Sequence, residues 1–117
     1  MGSETQPPWP DNRLALTGQL LDDPQTRMTP AGVPVSRFTL EHESHQPEDG
    51  HNRQVRFRVA VHARGRTLQD VIGTLQAGSP VRVLGHLGRS GYRPEQHQLV
   101  VFARRIQLLT NETQGVE

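Results

Sequence analysis

The sequence predicts an all-β domain, a five-stranded barrel with one short helix between strands 3 and 4. Three observations predict it: segments that alternate apolar and polar residues at a period of two, one stretch of helical period between the third and fourth of them, and turn chemistry at the junctions. At 117 residues the chain fits one domain with one small core. Only 32% of residues are hydrophobic and 4% aromatic, so that core has to be built from Val, Leu, Ile and Phe, and help from a partner subunit is expected.

The opening residues carry Pro7, Pro8 and Pro10 around Trp9, a poor start for any regular element, and residues 1–11 are expected to form a flexible tail. Leu14, Leu16 and Leu20 then alternate with Arg13, Ala15 and Thr17 around Gly18, which reads as a first strand that bends or bulges at the glycine. Asp22-Asp23-Pro24 ends it, and Thr29 to Pro34, with a proline at each side of Ala31-Gly32-Val33, reads as the loop between strands 1 and 2. Val35 to His45 is the second strand, with Phe38 and Leu40 inward and Arg37, Thr39, Glu41 and Glu43 outward. Gln46 to Asn52, containing Pro47, Asp49 and Gly50, reads as a hairpin-type loop.

Arg53 to His62 has the cleanest alternation: Val55, Phe57, Val59 and Val61 toward the core, Arg56, Arg58, Ala60 and His62 on the other face. Between Thr67 and Gly78 the period changes. Leu68, Val71, Ile72 and Leu75 fall on one helical face, with Thr67 as N-cap and Gly78 as stop, weakened by Gly73. Ser79 to Gly88 is the fourth strand and Leu99 to Leu109 the fifth, joined by a charged loop from Arg89 to Gln98. Residues 110–117 are expected to be a flexible C-terminal tail, which leaves 12–109 as the folded domain. Three strands, a helix and two strands is the order of the OB-fold, a partly open barrel that binds nucleic acid through the face of strands 2 and 3 and its loops. Periodicity alone leaves SH3-like and other five-stranded barrels open.

Absent residues exclude whole classes of chemistry. Without cysteine there is no disulfide, thiolate nucleophile or cysteine-containing zinc site, and a reducing, cytoplasmic setting fits. No apolar run approaches the ~18 residues of a membrane span. Six histidines are scattered; His42 and His45, three apart on a strand, face opposite ways, so no metal or other cofactor is expected. No Gly-rich phosphate loop, Gly-x-Ser-x-Gly or His-Glu-x-x-His is present, and the chain is not expected to be an enzyme.

The formal charge is only +1, yet all thirteen basic residues are arginine and eight of them lie between Arg37 and Arg89. The missing lysine has a bland explanation in a GC-rich genome, but the physical consequence holds under either origin: arginine pairs bidentately with phosphate and stacks on bases. Sequence-tolerant binding of single strands needs a cationic groove and flat groups. Arg37, Arg56 and Arg58 on one sheet face, with Arg27, Arg53, Arg89 and Arg93 on flanking loops, meet the first need. Tyr92 is the one aromatic in a plausible binding loop, because Phe38, Phe57 and Phe102 read as core and Trp9 lies in the tail. Affinity should therefore come mostly from phosphate neutralisation and fall steeply with salt.

The Asn12-Arg13-Leu14 opening, Asp23-Pro24, Thr29-Pro30-Ala31-Gly32-Val33-Pro34 and Gly78 to Gly85 resemble the single-stranded DNA-binding protein superfamily. Thr29 to Pro34 followed by Leu40-Glu41-His42-Glu43-Ser44 is more closely similar to the PriB (primosomal replication protein N) family, over about Asn12 to Leu109. The resemblance implies a homodimeric OB-fold that binds single-stranded DNA in replication restart, bridging the PriA helicase and DnaT. It also matches Arg27 to a basic residue of the first loop, and Arg89 and Arg93 to basic residues between strands 4 and 5. His51 and Arg56 stand where the family carries aromatic residues, an arginine plane over a base being a recognised substitute. Two alternatives stand beside this: a protein-interaction adaptor of the primosome with weak DNA binding, and a short general single-stranded DNA-binding protein. The second is disfavoured because the sequence reaches Glu117 without that family's long linker and acidic tail.

Overall fold

The structure, a computed structural model, describes residues 11–90 and 98–110. Apart from Asp11 and Thr110, the expected tails lie outside the described residues, as do Trp9, Tyr92 and Arg93. The elements are β1 (Leu14–Leu20), β2 (Gln25–Met28), β3 (Pro34–Glu48), β4 (His51–Arg64), a 3-10 turn (Arg66–Leu68) leading into one helical turn α1 (Gln69–Ile72), β5 (Pro80–Arg89) and β6 (Leu99–Leu108).

The sheet runs β1-β5-β6-β4-β3-β2, and a second pairing of β1 with β3 closes five of the strands into a barrel. The β4 and β6 strands pair in parallel and all other pairs are antiparallel. This is the expected five-stranded OB-fold barrel, with the helical turn between its third and fourth strands. Alternation supplies the core: Leu20, Phe38, Leu40, Val61, Val81, Val83, Val101 and Ile106 point inward and are buried. Full burial of each such side chain is worth roughly 1.5–3 kcal/mol. Ser36 is the buried polar exception; its hydroxyl meets Thr26 Oγ1 at 2.6 Å and accepts from Gln69 Nε2 at 3.1 Å, so it is satisfied.

Four expectations are corrected. The connection after Asp23 contains the short strand β2, whose four residues are all exposed and carry no alternation to read. The expected loop from Gln46 to Asn52 is only a two-residue turn: Glu48 pairs with His51, and Asp49 (φ 51°) and Gly50 (φ 80°) take the left-handed conformations of a tight hairpin turn. The third strand's inward set stops at Val59. Val55 is half-buried and Phe57 is 40% exposed, because the β3–β4 hairpin runs on past the barrel. The helix is much shorter than the Thr67 to Gly78 pattern. Leu68, Ile72 and Leu75 are buried as expected, but through a 3-10 turn, one α-turn capped at Gly73, and tight bonds from Thr74 N to Val71 O and Leu75 N to Ile72 O. Three residues per turn also brings i and i+3 together, so the apolar spacing survives a tighter path.

Gly18 and Gly85 sit where backbones approach too closely for a side chain. A Cβ on Gly18 would overlap the Glu41 carbonyl oxygen, and one on Gly85, at the β5–β6 bulge, would overlap that of Phe102. Either change to Ala should destabilise the fold by about 2–4 kcal/mol in urea unfolding, since backbone rather than a flexible side chain must yield. Gly73→Ala is the contrasting case: its nearest atom is the Gln69 carbonyl at 3.4 Å, and it should raise stability by about 0.5–1 kcal/mol.

Candidate nucleic-acid interface

Strand parity assigns the outward side chains. On β3 these are Val35, Arg37, Thr39, Glu41 and Glu43; on β4, their register partners Arg64, His62, Ala60, Arg58 and Arg56. One outward row crosses five strands: Gln25 on β2, Arg37 on β3, His62 on β4, Phe102 on β6 and His86 on β5 are successive register partners. Within it the Phe102 ring meets His62 edge-on at 5.6 Å between centroids and stacks on His86 at 5.4 Å, 19° from parallel. Gly88 leaves room for this, because a Cβ there would overlap the Phe102 ring. His86 is exposed and Phe102 and His62 are half-buried, so three flat groups form a surface strip.

The ends of the strip are cationic. Arg37 lies beside His62, and Arg104 lines a shallow cleft with His86 and Arg13. Burial, and then the charge of Arg37, hold the His62 imidazole below the ordinary histidine range.

The expected arginines divide. Arg37 and Arg56 are outward and exposed, and among the described residues neither forms an ion pair. Arg58 is outward but its Nε lies 3.4 Å from Glu41 Oε2, and Arg56 faces Glu43 across the ladder. Arg27 is on the short strand β2 rather than in a loop, opposite Val35 and exposed on the same outward side. Arg53 is also on a strand, not in a loop, and parity puts it on the reverse of the hairpin, where its Nε meets Glu48 Oε1 at 2.5 Å. Arg89 ends β5, opposite Leu99. Tyr92 and Arg93 lie outside the described residues. The hairpin is therefore close to neutral rather than a basic stripe.

Phe102, like Phe57, is a residue sequence reasoning misplaced. It stands between Val101 and Ala103, and it is these two that point inward. The readable signal was parity: Val101, Ala103 and, past the bulge, Ile106 form the inner set, which leaves Phe102 outside. His62 and His86 carry no sequence signal of a strip, since only the register across β4, β6 and β5 brings them to one ring. An apolar groove of about 700 Å³ opens at the barrel end, with Leu14, Leu16, Phe57, Leu87 and Leu99 on its walls. No cluster of three or more metal-ligating side chains occurs among the described residues.

A family model described as "Another single-strand binding protein family" matches residues 12–104. The replication restart protein PriB of Photorhabdus laumondii is 38% identical over 102 residues, covering 84% of this chain and 93% of its own. That of Erwinia tasmaniensis is 35% identical over the same shares. Among solved structures, the protein PriB of Ralstonia solanacearum superposes with a TM-score of 0.72 at 26% identity, over 86% of this chain and all of its own. The small single-stranded DNA-binding protein of Streptomyces coelicolor, at 19% identity and a TM-score of 0.69, shares the fold. Matched along nearly its whole described length by both the family model and these relatives, the chain belongs to the single-strand binding protein family, among the replication restart proteins PriB.

Proposed function

We propose that the outward face of β3, β4 and β6 binds single-stranded DNA, and that the chain acts in the cytoplasm as an accessory factor of the replication-restart primosome. The observation that carries this is the His62-Phe102-His86 strip with arginine at both ends, joined to family membership. Base stacking on a flat group is worth roughly 1–3 kcal/mol per base and tolerates any sequence. Arg27, Arg37 and Arg56 are the phosphate partners on this face left free of ion pairs among the described residues; Arg89, at the end of β5 with the parity of Leu87, and Tyr92 and Arg93 beyond it are further candidates. Arg58 contributes only once Glu41 releases it, and Arg53, paired with Glu48 on the reverse of the hairpin, is not part of this face.

The bridging of PriA and DnaT belongs to this reading through the family resemblance. A homodimer belongs to it on physical grounds. Pairing of β1 with β3 is confined to Gln19 and Leu20, so the edge of β1 from Leu14 to Gly18 has no strand partner opposite β5 among the described residues. A two-fold copy would cover that edge and the apolar groove beside it. One observation favours the adaptor reading: acids neutralise the hairpin arginines, so a protein surface could use that face as readily as DNA.

Fluorescence anisotropy with a labelled oligonucleotide tests the reading. Single strands should bind in preference to duplex, and log K should fall with log salt at a slope of about −2 to −3, as expected for three or four phosphates at roughly 0.7 each. Arg37→Ala with Arg56→Ala should reduce that slope by about 1.4, whereas Phe102→Ala should cost about 1–3 kcal/mol and leave the slope alone. No binding even at low salt would put the adaptor reading in front.

The His62 environment adds a pH dependence. With its imidazole held below the ordinary range in the fold, the unfolded chain binds more protons, so stability falls as pH drops through about 6.5 and below. A phosphate beside Arg37 reverses the local field and favours the imidazolium. Affinity should then rise between pH about 7.5 and 5.5, by about two- to fivefold more in the native protein than in His62→Phe, which keeps the ring and loses the proton.

A further inference from the structure

The Leu40-Glu41-His42-Glu43-Ser44 segment lies where the β3–β4 hairpin leaves the barrel. Up to Leu40 and Glu41, β3 is held on both sides, by β4 and by the two pairs with β1. Beyond them, residues 42–57 form a two-stranded ribbon with no third strand among the described residues, and such a ribbon is barely stable alone. Something has to set its angle to the barrel.

His42 occupies that point. Its Nδ1 lies 2.6 Å from the Thr17 carbonyl oxygen of β1, and its Nε2 lies 2.7 Å from Ser44 Oγ, which also accepts from Gln46 Nε2 at 2.9 Å. A carbonyl only accepts, so Nδ1 carries the proton; Ser44 can then donate to Nε2 and accept from Gln46, and every group is satisfied. On its other side the imidazole packs against Phe57, its register partner, at 4.9 Å between centroids. Gly18 completes the arrangement by letting β1 approach the Glu41 backbone.

We infer that His42 is a positioning residue: it replaces the missing ladder between β1 and β3 and fixes the hairpin, with Arg56 and Arg58, against the strip of rings on the barrel. The inference rests on the proposed DNA-binding reading for its consequence but not for its geometry. Asn places an amide nitrogen where Nδ1 stands and can still donate to Thr17; Gln places one nearer Nε2 and cannot serve both ends.

The chain has no cysteine, so a pair of spin labels at Asn52→Cys near the hairpin tip and Gln76→Cys on the barrel can be introduced without background, in full-length protein diluted with unlabelled copies. The native protein and His42→Asn should give one narrow distance distribution, and His42→Ala and His42→Gln a broad one. Single-strand affinity should fall about five- to tenfold in the two broad variants and stay within about twofold in His42→Asn, the loss being the cost of ordering a mobile hairpin. If Ala prevents folding, the contrast of Asn with Gln carries the test. Equally narrow distributions in all folded variants, or Asn as broad as Gln, would overturn the inference. If the native protein binds no DNA, the DNA reading fails, and the distances still decide the role of His42.

Discussion

Closure of the barrel hangs on a contact only two residue pairs long, Gln19 with Glu41 and Leu20 with Leu40. It brings Leu20 and Leu40 together in the core, and a short set of bonds secures it: Leu21 N to Thr39 O at 2.8 Å, Gly78 N to Leu20 O at 2.7 Å and Thr39 N to the Asp22 carboxylate at 2.9 Å. Gly18 permits the approach. From this follow both surfaces that matter. The curved outer face acquires one continuous row from Arg37 to His86, and the hairpin beyond Glu41 is released from the sheet.

The two surfaces differ in what they can offer a single strand. The ring strip is held by the barrel and offers flat groups at fixed spacing, so its contribution should be stacking with little sensitivity to salt. The hairpin offers arginines, but two of them are engaged with Glu41 and Glu48, and exposed pairs of this kind are worth at most about 1 kcal/mol. Such acids are easily displaced by phosphate, yet each displacement subtracts from the net electrostatic gain. On the proposed reading, a face of this kind would bind by contact and shape more than by charge.

Much of the fold was legible because one rule governs it. Alternation located the five barrel strands and most of the core from Leu20 through Val83, but on β6, where Phe102 read as core, it missed the inner set of Val101 and Ile106. What alternation cannot report is what lies beyond a strand's neighbours. Phe57 obeys the inward parity of Val59 and Val61 and is nonetheless exposed, because the barrel ends before it does. The candidate site was less legible than the fold: Arg37, Arg56 and Arg58 were found by strand parity, whereas the acids that offset them depend on register, and the His62-Phe102-His86 strip depends on a parallel pairing of β4 with β6 that links residues far apart in the chain. The Glu-His-x-Ser segment was legible only as a resemblance, and its physical content emerges from the Thr17 carbonyl it reaches.

The most direct measurement of the central claim is a map of backbone amide chemical shifts in the labelled protein as a single-stranded oligothymidylate is added. The account predicts saturable changes concentrated at Arg37, His62, Phe102 and His86 and extending along the outward side of the hairpin to Arg56. Changes confined to the apolar groove of Leu14, Leu16, Leu87 and Leu99, or a strip that stays unperturbed at saturation, would contradict it.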